Sequence, residues 1–437
     1  MPYDLILKNG TVFFPDKREI TDVAVKNEKI VGFGSFNSAD QIIDCSNLFI
    51  FPGLIDTQCH FREPGGEHKE TLETGTKSAA LGGVTGIFEM PNTNPLTVTP
   101  EAMDFKINKA IETSYVDFAF YFGGTAQNSS QLVDWENLPG VCGIKIFMGA
   151  STGNLLSATD EEIELIVKNG QRVIAVHAED EHIMNANKIS ILGDSNDVAM
   201  HNKWRSVESC LSATKRIVAL ATKHNRRVHI LHLTTKEEMT FLKNHKSVAS
   251  AEVLANHLTL HAPDCYELYG TLAQQNPPIR EKEHQDALWQ AVSDGTIDIV
   301  ASDHAPHTLE EKNGVYPNTP SGTPGVQTLI PIMLNHVHEG RLSYERLVDL
   351  MAYGPSRVHK IKNKCFIKEN YDADFTIVDP KLTHIITNDE QASKSKWTPY
   401  DNKKVTGFPV MTIIRGQTIM REGELINKAN KPIEFHI

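Results

Sequence analysis

Eight short apolar runs, most of them separated by a stretch of helical periodicity, recur between residues 48 and 304 and leave few folds open. They are LFIFPGLID (48–56), VTGIFEMP (84–91), DFAFYFG (117–123), GIKIFMG (143–149), RVIAVHAE (172–179), RVHILHL (227–233), SVASAEVL (247–254) and IDIVASDH (297–304). Runs that stay apolar instead of alternating belong to a parallel sheet covered on both faces. The clearest intervening helix is expected at 206–224, with Val207, Cys210, Leu211, Ile217, Val218 and Ala221 on one face and Ser206 as N-cap. Eight strand–helix units fit a closed (β/α)8 TIM-type barrel, an α/β fold whose chemistry collects at the C-terminal strand ends. An open doubly wound sheet is the rival, but no G-x-G-x-x-G follows a strand.

The two ends of the chain read differently. DLILKNGTVFF, TDVAVKNEKIVGFG and LFIFPG near the start, and ADFTIVDP, VMTIIRGQTIM and REGEL near the end, are short strands punctuated by turn residues. The expected organisation is a small β domain built jointly from residues 1–50 and 371–437, around a barrel of residues 51–370. A length of 437 residues suits that plan. Lys and Arg number 43 against 55 Asp and Glu, a net charge of −12 with no basic block, which argues against a nucleic-acid surface or an anionic-membrane patch. No run of 18 apolar residues offers a bilayer span, and MPYDLILKNGTVFF lacks a signal-peptide core. Six scattered cysteines without a CxxC pair speak against a disulfide framework or a thiolate zinc site. A cytoplasmic location is expected.

Polar residues interrupt the apolar runs at telling places. His60 follows the first run, Lys145 lies inside the fourth, and His177, His232 and Asp303 end the fifth, sixth and eighth. In a closed barrel all five face one mouth, although they span about 240 residues. Imidazole nitrogen and carboxylate oxygen are the donors zinc prefers. Each residue also has a plainer reading: a lone strand-end histidine is commonly structural, Asp303 can cap its loop, and Lys145 can reach a solvated face. Their coincidence in or just after five of the eight runs favours a metal site. A buried lysine loses its proton readily, and a neutral amine reacts with carbon dioxide to give a carbamate able to join two cations. Metal binding brings the pKa of water toward about 7, and Asp303 stands ready to move the proton. Such an ensemble suits hydrolysis of an amide-like bond.

FPGLIDTQCHFREPG (51–65), GVTGIFEMPNTNP (83–95), GIKIFMGASTGN (143–154), VHAED (176–180), ILHLTT (230–235), QNPPIR (275–280) and SDHAPHT (302–308) extend this picture. Together they resemble the amidohydrolase superfamily and, within it, the dihydroorotases, over nearly the whole chain. The resemblance implies a barrel with a two-part β domain and the reversible hydrolysis of dihydroorotate to N-carbamoyl-L-aspartate in pyrimidine biosynthesis. It implies His60, Lys145, His177, His232 and Asp303 as ligands of one or two zinc ions, with Lys145 carbamylated and Asp303 also the general acid/base. Arg62, Asn92 and His307 would hold the substrate carboxylate, and Asn276 would contact the ring. A small-molecule substrate and a homo-oligomer are expected, with aspartate transcarbamoylase a candidate partner.

One position departs from the resemblance: relatives carry His-x-His after the first strand, where this chain has Gln58-Cys59-His60. An amide oxygen is a weaker zinc ligand than imidazole, so the metal position using His60 should bind less tightly. Cys59 should point away from His60 by strand alternation, and His257 is the other neighbour considered as a substitute. Residues 149–157, GASTGNLLS, are either a mobile flap or a plain strand-to-helix loop. Two rival functions remain: another cyclic amidase, such as a hydantoinase or allantoinase, and a catalytically silent partner of aspartate transcarbamoylase.

Overall fold

The computed structural model describes residues 3–151 and 155–436. Thr152, Gly153 and Asn154, in the middle of the expected flap, lie outside the described residues. All eight apolar runs supply strands of one parallel sheet: β1 (Leu54–Cys59), β2 (Val84–Glu89), β3 (Asp117–Gly123), β4 (Val141–Phe147), β5 (Ile174–His177), β6 (Val228–Ile230), β7 (Ala249–Leu254) and β8 (Ile299–Ala301). Each pairs with its sequence neighbour, the order expected of a barrel. The gap between β8 and β1 is closed beyond the strand ends. There the His60 N–H donates to the His304 carbonyl at 2.7 Å, and the Ser302 N–H donates to Asp56 Oδ1 at 3.1 Å. The result is a nearly closed TIM-type barrel, and every side chain of all eight strands is buried.

The helix expected at 206–224 runs from Val207 to Lys223, and the Ser206 side chain accepts from the Ser209 N–H as its cap. Cys210, Ile217, Val218 and Ala221 are buried, while Val207 and Leu211 are only half-buried. Small and polar Ser209, Ala213 and Thr214 fill the inner face instead.

The run 48–56 divides. Phe49–Pro52 joins a second sheet, and only from Leu54 does the chain enter the barrel. Gly53 makes the turn: a Cβ there would lie 2.5 Å from Thr85 Oγ1 and 2.8 Å from the Asp374 Cβ, so no side chain fits. That second sheet has nine strands drawn from both ends of the chain. Phe49–Pro52 lies parallel to Tyr3–Phe13 and antiparallel to Phe375–Ile385, at the junction of the two contributions. After Leu425 the chain leaves this sheet and returns to the barrel. The Ile433 N–H donates to the Phe118 carbonyl at 2.9 Å, and Phe435 packs on Phe88 with ring centroids 5.6 Å apart.

A buried ion cluster fastens the sheet to the barrel. Lys364 Nζ lies 2.7 Å from Asp117 on β3, 2.9 Å from Asp372 and 2.6 Å from Asp374. Arg415 adds a second cation on Asp117. Burial by itself would lower the Lys364 pKa, but the three carboxylates raise it well above the ordinary lysine value.

Candidate active site

The β-strand ends deliver their polar residues as the barrel requires. One cavity is lined by Gln58, His60, Arg62, Asn92, Lys145, His177, His232, Asn276 and Asp303. His307 borders the adjoining cavity together with Arg62 and Asn92. Of the candidate site residues read from the sequence, only His307 lies outside this cavity, in the adjoining one.

Two donor pairs line the cavity. His60 Nε2 lies 3.1 Å from Asp303 Oδ1, and His60 Nδ1 lies 2.8 Å from Asn92 Oδ1. His177 Nδ1 lies 3.0 Å from His232 Nε2. Burial lowers the pKa of all three histidines, which favours the neutral imidazole that ligates metals. Burial would raise the Asp303 carboxyl, but His60, His232 and Lys145 hold it well below the usual carboxylate range.

Lys145, fully buried on β4, acts on the charge of both pairs. Its Nζ has no hydrogen-bond partner and sits 4.4 Å from the centroid of the Phe147 ring. Burial lowers its pKa to about 7, with Asp303 and Glu252 pulling the other way. A neutral amine is thus abundant at physiological pH.

Among the described residues no three His, Cys, Asp or Glu side chains form a ready metal site. What the cavity offers is two pairs plus Lys145. Lys145 Nζ, Gln58 Oε1 and His232 Nδ1 are buried polar atoms without a hydrogen-bond partner, an expensive arrangement unless something else meets them. Cys59 is turned away, its Sγ 3.4 Å from Asp56 Oδ2. His257 Nε2 meets the Pro277 carbonyl at 3.1 Å and Gln275 at 2.7 Å, its Nδ1 has no hydrogen-bond partner among the described residues, and the residue does not line the cavity that holds Gln58.

On the other side of the cavity, Arg62 is buried, with its Nε donating to the Pro306 carbonyl at 3.2 Å and an Nη 3.2 Å from His307 Nε2. Burial lowers its pKa to about 10, so it stays charged at neutral pH. His307 Nε2 lies 3.1 Å from the Ser321 carbonyl and its Nδ1 3.0 Å from Lys69 Nζ. A carbonyl only accepts and an ammonium only donates, so Nε2 carries the proton for Ser321, Nδ1 accepts from Lys69, and the Arg62 Nη facing Nε2 is a close approach of two donors and not a hydrogen bond. Asn276 Oδ1 lies 2.9 Å from His201 Nε2.

Sequence reasoning missed several supports. Glu179 Oε2 lies 2.9 Å from His177 Nε2 and 2.5 Å from Arg205. Burial would raise this carboxyl, but Arg205 and His177 hold it well below the ordinary range. The motif VHAED contained Glu179, two residues from His177; a charged residue inside an apolar run was the available signal. Lys69 and His201 carried none, because their partners lie far along the chain.

These observations agree with what the chain is similar to. A model of the amidohydrolase family matches residues 49–419. A dihydroorotase of Halobacterium salinarum is 35% identical over 421 residues, 95% of both chains. One of Methanosphaera stadtmanae is 32% identical, over 98% of this chain and 96% of its own. One of Bacillus pumilus is 33% identical, over 96% of this chain and 99% of its own. Among solved structures, the L-hydantoinase (dihydropyrimidinase) of Arthrobacter aurescens superposes with a TM-score of 0.94 at 29% identity, covering 99% of each chain. A D-hydantoinase gives 0.89 at 26%, covering 98% of each. A barrel that gathers histidines, a lysine and an aspartate at its strand ends, matched over most of its length, settles the lineage: the chain belongs to the amidohydrolase family.

Proposed function

We propose that this chain interconverts dihydroorotate and N-carbamoyl-L-aspartate, a cyclic amidohydrolase reaction on a small molecule. Arg62 carries the reading. A guanidinium buried in a cavity beside the metal donors calls for an anion, and its planar fork matches a carboxylate. Dihydroorotate bears a ring carboxylate, whereas the hydantoin ring bears none. The fold likeness to hydantoinases keeps the second reading in view, and Arg62 discriminates between them.

The cavity's donors suit zinc, provided Lys145 contributes an anion. Its neutral amine attacks carbon dioxide, an N–C bond forms, and one proton leaves for solvent. The resulting carbamate would add an anionic donor to His60, Asp303, His177 and His232, the residues that would hold zinc. A zinc ion held by these residues would lower the pKa of water toward about 7 and polarise a carbonyl. Asp303 takes the proton of the attacking water and gives it to the departing ring nitrogen. Arg62, with Asn92 and His307, orients the carboxylate, and Asn276 meets the ring.

Gln58 weakens one ion position, because a neutral amide oxygen stands where an imidazole would ligate. The experiment is dihydroorotate hydrolysis followed by ultraviolet absorbance, with zinc counted on the same sample. Turnover with one tightly held zinc per chain, and a second lost on dialysis against a weak chelator, is expected. Two equally retained ions would remove the argument from Gln58. Silence on dihydroorotate after adding zinc and bicarbonate, with turnover of hydantoin, would favour the second reading. Silence on both substrates would favour a non-catalytic scaffold.

A further inference from the structure

A buried relay stands behind Asn276. Trp204 Nε1 donates to the Tyr316 hydroxyl at 2.7 Å. Tyr316 Oη lies 3.2 Å from His201 Nδ1. His201 Nε2 lies 2.9 Å from Asn276 Oδ1 and 3.1 Å from the Gln275 backbone carbonyl. The chemistry of these groups fixes every direction. An indole N–H only donates, so the tyrosine oxygen accepts from it and has its own proton left to give. The Gln275 carbonyl only accepts, so His201 carries its proton on Nε2, and Nδ1 is free to take the Tyr316 hydroxyl proton as a hydrogen bond. The Asn276 atom facing that Nε2–H must then be the amide oxygen. Burial and Arg205 push the His201 pKa down to about 3, so the imidazole stays neutral across the physiological range.

We propose that His201 is a positioning residue for the reaction: it holds the Asn276 amide oxygen and thereby commits the Asn276 NH2 to the ligand. Asn276 borders both the catalytic cavity and the neighbouring one that contains His201, Trp204 and Tyr316, so it stands at their boundary. An NH2 aimed at the ring selects a ring carbonyl over a ring N–H at that point. A misplaced amide rotamer would present an oxygen and repel the carbonyl. The inference rests on the dihydroorotase reading for its substrate, but the relay itself exists without substrate.

Two measurements test it. Long-range 1H–15N correlation on histidine-labelled protein, assigned with a His201→Phe variant, should show the Nε2–H tautomer. An Nδ1–H tautomer or an imidazolium at neutral pH would overturn the relay, whether or not dihydroorotate is the substrate. The second is a kinetic cycle. His201→Phe should raise KM for dihydroorotate about tenfold, equivalent to about 1.4 kcal/mol, with kcat changed less than about threefold as its Nε2–H is lost. His201→Gln, which keeps an N–H donor, should recover most of the loss. In an Asn276→Ala background His201→Phe should cost nothing further, because nothing remains to position. An equal KM rise in that background would overturn the proposal. Should His201→Phe fail to fold, Tyr316→Phe replaces it in the same cycle, with a smaller KM rise expected and the same loss of effect beside Asn276→Ala. Absence of wild-type turnover on dihydroorotate would count against the proposed function, and the tautomer would still decide the relay.

Discussion

Arg62, His232 and Asp303 hold positive φ angles of 62°, 39° and 47°, in a region that residues with a side chain seldom occupy. Each such conformation costs about 1–3 kcal/mol, and surrounding structure must enforce it. All three lie within three residues of the end of a barrel strand, where the chain leaves the sheet. Asp303→Asn keeps the size of the side chain and loses its capacity to hold a proton. We expect kcat to fall at least ~10²-fold with an unchanged circular dichroism spectrum; a near-normal rate would place the base elsewhere. Arg62→Ala removes a charged hydrogen-bond donor worth about 1.5–3 kcal/mol. It should lower kcat/KM for dihydroorotate through KM by about 10- to 100-fold while zinc content stays constant. Unaltered kinetics would take Arg62 out of the site.

At the scale of elements, the barrel was legible because buried parallel strands must be continuously apolar. The polar exceptions within those runs, Lys145, His177, His232 and Asp303, stood out for that reason, and His60 because it follows the first run by four residues. The division of 48–56 was not visible, since a strand core to the barrel and a strand core to the β sheet have the same composition, and only the room around Gly53 separates them. His201 was invisible for a different reason: its hydrogen-bonding partner Tyr316 lies 115 residues away, and no spacing rule connects them.

The short helix Leu309–Lys312 shows what else contact alone reveals. Buried Lys312 donates to the Gln274 carbonyl at 2.9 Å and the Pro320 carbonyl at 3.0 Å, pinning this helix to the loops beside the site. Burial lowers its pKa from 10.5 to about 7. Between those values the unfolded chain holds a proton that the folded chain has released, so this group makes stability rise with pH until the unfolded lysine also titrates. Lys312→Met should abolish that contribution. The difference in unfolding free energy between the two proteins should change by up to about 1.4 kcal/mol per pH unit between about 7 and 10. Urea melts at three pH values would check it, and parallel curves would refute it.

For the whole molecule, the seam between sheet and barrel depends on Lys364, a single cation that meets Asp117, Asp372 and Asp374 at once. Lys364→Met would leave these buried carboxylates short of a partner and should destabilise the fold by about 3–5 kcal/mol. The urea midpoint reports this, and an unchanged midpoint would mean Arg415 alone suffices.

The same seam sets an order of events at the ribosome. Phe49–Pro52 emerges early, yet its antiparallel neighbour Phe375–Ile385 is made only after the entire barrel. At about 5–20 residues per second, that interval is roughly 15 to 65 s. Throughout it, the nascent chain displays an aromatic strand edge with open backbone donors and acceptors, the kind of surface that recruits other chains. Chaperone dependence and the yield of soluble protein should therefore answer to translation speed across the barrel more than to any single contact in the finished molecule.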